Sequence, residues 1–134
     1  MSCWRTVSSV IKNVNEETLK EAAKKMGLDI DTRVKQVATS YGMTENNRST
    51  VDGCFVQNGR RLQLGYQLHD KDGNFAVVGD FWNTGLNSEQ FTGTLGQIYQ
   101  EIAIQQQLEL QGYTIESVEV NAQGDTEICA YAWA

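Results

Sequence analysis

Proline is absent from the chain, and no linker, repeat or low-complexity tract interrupts it. No domain boundary is therefore expected, and residues 1–134 read as one domain. Positive charge is scarce: 11 basic side chains stand against 17 acidic ones, a net charge of -6. That field repels nucleic-acid phosphates and anionic lipid, and no Lys/Arg stripe offsets it. Neither nucleic acid nor a membrane is an expected partner, whereas a basic protein is easier to accommodate. Long apolar runs are also lacking, since the longest fall far short of a bilayer span. The N-terminal stretch MSCWRTVSSVIKNV has no apolar signal core, so an unexported protein of a cytoplasmic or stromal compartment is expected. Histidine occurs once, as His69, and cysteine three times, as Cys3, Cys54 and Cys129. There is no C-x-x-C pair, and an odd count argues against a disulfide framework. Reduced, packed thiols are the expectation.

What is present suffices for a core. Hydrophobic residues make up 40% of the chain, and Trp, Tyr and Phe total 12. Residues 3–11 (CWRTVSSVI) are β-branched and aromatic, as strands are. A helix follows with its ends marked. Asn15 can accept an unpaired backbone N–H at the start, with Val14 and Leu19 placed to pack around it. Leu19, Ala22, Ala23 and Met26 form its apolar stripe, Lys24 and Lys25 suit its negative end, and Gly27 supplies the left-handed exit. RVKQVATSY (33–41) reads as the next strand, and GMTENNRST as a polar loop.

Asn58-Gly59 is a strong two-residue hairpin signal. A turn there sets Phe55 against Leu62, Gly53 against Leu64 and Val51 against Tyr66. A second turn over Asp70–Gly73 sets Leu68 against Phe75, Tyr66 against Val77 and Leu62 against Phe81. Opposed residues share a face, and both registers gather apolar side chains on one side. The segment DKDGN (70–74) resembles a calcium loop only superficially. Such a loop carries ligands at positions 1, 3 and 5, glycine at 6 and glutamate at 12. Here glycine follows the second aspartate directly, and position 12 from Asp70 is Phe81. The segment is read as a turn.

NTGLNSEQFTG (83–93) reads as a connection leading to a helix over TLGQIYQEIAIQQQLELQGY, in which Leu95, Ile98, Tyr99 and Ile102 recur at helical spacing before Gly112. YTIESVEV and EICAYAW flank NAQGD and read as a terminal hairpin. The order is β-α-β-β-β-β-α-β-β. Strands joined by short turns imply an α+β fold, a mainly antiparallel sheet with two helices packed on one face.

The helix ending in MGLDI (26–30), the segment LGYQLHDKDGNFAVV (64–78) and above all IYQEIAIQQQLELQGYTIESVEV (98–120) resemble the hypothetical chloroplast reading frame thirty-five family, a cyanobacterial and plastid domain of unknown function. The likeness covers nearly the whole chain and implies a cyanobacterial, plastid or cyanophage origin. It implies no mechanism. Members commonly carry histidine after Met-Ser, where this chain has Cys3.

No catalytic constellation stands out. A thiol/imidazole metal site needs three or more ligands around one ion. In the register above Cys54 faces Gln63, and His69 lies roughly 20 Å farther along the strand. No metal and no cofactor is expected, and the plainer reading of the cysteines is packing. His69 has no serine or cysteine placed beside it, so a solvated turn histidine is preferred to a general base. Glu16 and Glu17 are explained by the helix dipole. No glycine-rich phosphate loop opens a helix. What remains is the face of the central hairpins opposite the core, with Gln63, Gln67, His69, Asp80 and Trp82 as a candidate binding surface and Cys54, Arg61, Ala76 and Val78 beside them. An ordinary half-solvated or covered face is the competing reading. The leading expectation is a non-enzymatic accessory domain that contacts another protein, with self-association included. The alternative is a small-molecule or redox-cofactor binding domain lined by Trp82, Tyr66 or the cysteines. An enzyme of unrecognised class comes third.

Overall fold

The computed structural model describes residues 2–6, 14–38, 48–79, 81, 87–120, 122 and 125–132. Its elements are β1 (Ser2–Thr6), α1 (Glu16–Lys25), β2 (Asp29–Asp31), β3 (Gln36–Ala38), β4 (Arg48–Thr50), β5 (Gly53–Gln57), β6 (Arg60–Gln67), β7 (Ala76–Gly79), α2 (Ser88–Leu110), β8 (Tyr113–Val120) and β9 (Thr126–Ala132). The fold is α+β, and every strand pair among the described residues is antiparallel. Those strands form three sheets, ordered β2-β5-β6-β7, β1-β9-β8 and β3-β4. Strands β2 and β4 are additions to the expected order. Both are three residues long, too short to show an alternation.

Helix α1 starts and stops where its sequence requires. Asn15 Oδ1 accepts the Glu17 and Thr18 N–H groups at 2.9 and 3.3 Å. At the other end the Leu28 N–H reaches back to the Ala23 carbonyl, which the positive φ of Gly27 permits. Helix α2 begins six residues before the expected Thr94. Its signal is a capping box: Asn87 Oδ1 accepts the Gln90 N–H at 2.8 Å, and Gln90 Oε1 accepts the Asn87 N–H at 3.1 Å. Gly93 and Gly96 suggest a loop locally, but packing overrides that preference, with Phe91 and Leu95 fully buried.

At 23 residues α2 is about 35 Å long and serves two sheets. Phe91, Leu95, Tyr99 and Ile102 join Leu19, Phe55, Leu64 and Tyr66 in the main core. Farther along, Leu108 packs with Ile128 and Ala130 of β9. Phe55 is a hub, its ring edge-on to Tyr66 at 5.8 Å and to Phe91 at 5.3 Å.

The β6–β7 register is the one expected, with Tyr66 opposite Val77 and Leu64 opposite Gly79. The β5–β6 register agrees only next to the turn, where Asn58 and Gly59 both have positive φ. Beyond it a bulge sets three β6 residues against Phe55, so Gly53 faces Tyr66 and not Leu64, and Cys54 faces Gly65 and not Gln63. A shift of two residues preserves side-chain parity, so every core assignment survives it.

Candidate functional site

The outer face of β5–β6–β7 is roofed in part by the β3–β4 hairpin. Val37 and Val51 close over Cys54, and Val34, Val56 and Val78 pack at the margin. Cys54 is therefore a buried core thiol, and burial pushes its pKa up, away from nucleophilic use. It lies across from Gly65, four residues before His69, about 13 Å along the strand and still too far to share one ion with it.

Of the expected surface residues, Gln63 is exposed on β6. Gln67 donates its amide to the Thr50 carbonyl at 2.8 Å, which ties β6 to β4. His69 is exposed, and it lines a depression of about 210 Å³ together with Gln67, Asp52 and Lys71. Asp80 and Trp82 lie outside the described residues. The carboxylates of this depression are committed to backbone: Asp52 Oδ2 accepts the Leu68 N–H at 2.7 Å, and Asp70 Oδ1 accepts those of Asp72 and Asn74 at 2.8 and 3.0 Å. The Gly73 N–H returns to the Asp70 carbonyl at 2.9 Å, and Gly73 has positive φ. Asp70–Gly73 is a turn, its first side chain directed at its own backbone.

Tyr66 is wholly buried, and its hydroxyl donates to Glu16 Oε2 at 2.7 Å. Burial and the neighbouring Glu16 carboxylate raise the phenol pKa well above its usual range. This pair holds the start of α1 onto the sheet. Tyr66 therefore belongs to the scaffold and lines no opening to solvent.

Cys129 is disulfide-bonded and lies directly across the β1–β9 pair from Cys3, while Cys54 is free. The expectation of three reduced thiols is corrected accordingly. Tertiary pairing of the two terminal strands, 126 residues apart in the chain, brings those positions face to face.

One surface was not anticipated. Among the described residues strand β8 is an outer strand of the β1-β9-β8 sheet. Val118 and Val120 are 40% and 69% exposed on it. They lie across from Ile128 and Thr126, on the side of the sheet that faces α2. Glu119 lies on the opposite side, directly across from Glu127, which itself lies across from Arg5 of β1. Like charges directly opposed destabilise a strand pair. Lys71 is the last basic residue in the sequence, and residues 72–134 contain nine Asp and Glu. The signal was present in the alternation of YTIESVEV and in the one-signed second half of the chain.

A model of a family described as proteins of unknown function (DUF1257) matches residues 22–129. No curated protein matches the chain, and no solved structure does.

Proposed function

Given that the chain belongs to that family, whose description assigns no activity, we propose a non-enzymatic accessory domain that binds another protein through its sheets. The observation that carries this reading is the edge of β8. Among the described residues β8 is an outer strand, and its stretch from Ile115 to Val120, about 20 Å long, presents main-chain groups, the exposed Val118 and Val120, and the Glu116 and Glu119 carboxylates. An added strand would pair with the main chain and cover the valines, and its lysines or arginines would neutralise the glutamates. Two β8 edges brought together would instead oppose their own carboxylates, so the edge favours a basic partner over a second β8. The strip around Gln63, Gln67 and His69 is part of the same proposal as a smaller, polar contact area.

The likeness to hypothetical chloroplast reading frame thirty-five, with its cyanobacterial, plastid or cyanophage origin and cytoplasmic or stromal placement, belongs to this proposal too. The block at residues 98–120 supports it and lies inside the matched region. Among the described residues no helix is long and apolar enough to cross a membrane.

A labelled peptide of alternating lysine and valine tests the edge directly by fluorescence anisotropy. Binding should be saturable, should weaken as salt rises, and should be lost in Val118→Lys and Glu119→Lys. Equal affinity of wild type and both variants would refute the assignment, as would absence of binding at low salt. Sedimentation of the pure chain measures self-association separately.

A further inference from the structure

We propose that a cleft between β2 and β6 is a binding site for a small molecule bearing a carboxylate or phosphate group. The site is distinct from the β8 edge and does not depend on it. Three strands build it. Asp29 pairs across β5 with Val56, which pairs with Arg61 of β6, and Asp31 is next along β2 on the same face. The turn after β2 adds Arg33. The opening measures about 720 Å³ and is lined by Ile30 and Val56, Asp29 and Asp31, and Arg33 and Arg61.

The two arginines are held by one carboxylate. Asp31 Oδ1 accepts the backbone N–H of Arg33 at 2.9 Å and its Nε at 3.1 Å. Oδ2 accepts Nη2 of Arg33 at 3.1 Å and Nε of Arg61 at 2.8 Å. These four bonds fill the usual acceptor capacity of a carboxylate. The Asp31 side chain is only 11% exposed, whereas those of Arg33 and Arg61 are 80% and 54% exposed. Each guanidinium carries five N–H donors, so several on each remain for a ligand among the described residues. Anchoring at Asp31 removes much of the side-chain freedom that binding would otherwise have to restrict.

The charge count favours an anion. Arg33 and Arg61 together exceed Asp31 by one positive charge, and Asp29 has Lys20 Nζ at 3.9 Å. The remaining donors form planar forks suited to two oxygens of a carboxylate or phosphate. Val56 and Ile30 offer apolar surface for the rest of the molecule.

The test is an NMR titration of the full chain with sodium acetate and, separately, with sodium phosphate, at constant ionic strength. It follows the Nε–H signals of Arg33 and Arg61 and the amide of Gly59. Saturable shifts confined to the cleft are expected with at least one of the two anions, and the stronger arm identifies the group preferred. Arg61→Gln and Arg33→Gln should each weaken binding about tenfold or more, as loss of a charged hydrogen bond implies. Unchanged amide signals in the core would show each variant to be folded. Linear, unsaturated shifts, or equal titrations in wild type and both variants, would overturn the proposal. Loss of peptide binding at the β8 edge would leave these signals unchanged, so the two readings fail separately.

Discussion

Replacing Tyr66 with phenylalanine removes one oxygen and leaves the ring among Phe55, Phe75 and the aliphatic core. At neutral pH the loss is the 2.7 Å hydrogen bond to the Glu16 carboxylate. Bonds to charged groups contribute about 1.5–3 kcal/mol, so Tyr66→Phe should lower the unfolding free energy by about that much. Alkali reverses the trend. The folded phenol pKa is raised by burial and by Glu16, whereas the unfolded phenol titrates near 10. Above pH 10 the unfolded chain therefore releases a proton that the folded chain retains. Linkage then reduces stability as pH rises, by about 1.4 kcal/mol at pH 11 for this group alone. Phenylalanine has no such proton, and the other tyrosines contribute equally to both proteins. The gap between wild type and variant should thus shrink by about 1.4 kcal/mol between pH 9 and pH 11. Urea unfolding followed by far-UV circular dichroism at three pH values measures it. A gap constant across that range would refute the argument and place Tyr66 in contact with solvent.

Gly65→Ala should destabilise by about 1–3 kcal/mol in the same assay, as overpacked cores do. Its new methyl would stand 2.6 Å from Val51 Cγ1 and 2.8 Å from the Gly53 carbonyl oxygen. Excess calcium should leave the melting temperature unchanged, because Asp70 already caps its own turn. A site saturated a hundredfold above its Kd would instead add about 2.7 kcal/mol, and a calcium-dependent rise abolished by Asp72→Asn would restore the cation reading. Under denaturing, non-reducing conditions maleimide should label Cys54 and leave Cys129 unlabelled. Labelling of all three would show Cys129 to be reduced, contrary to its bonded state here.

Local physics wrote much of the fold into adjacent residues. Asn15 and Gly27 mark the two ends of α1, Asn58-Gly59 forms a turn with both residues at positive φ, and Asp70–Gly73 closes on itself. In each case the partners are within a few residues, so the spacing alone carries the geometry. The alternation that puts Phe55, Leu62, Leu64 and Tyr66 into the core was equally legible, because side-chain parity survives a two-residue bulge. The bulge itself was not legible, since parity cannot distinguish a register from one shifted by two. Nor was the start of α2, where Gly93 and Gly96 oppose a helix that the burial of Phe91 and Leu95 maintains.

The sites needed distance in sequence. Asp31 and Arg61 are 30 residues apart and meet only because β5 lies between their strands. Cys54 looked outward by alternation and is buried because β3 and β4 fold over it. Cys3 and Cys129 face each other because β1 crosses the whole chain to pair with β9. Periodicity states which face a residue occupies. What covers that face, and which charges gather on it, depends on strand order and crossovers, whose energies arise between segments and have no local signature.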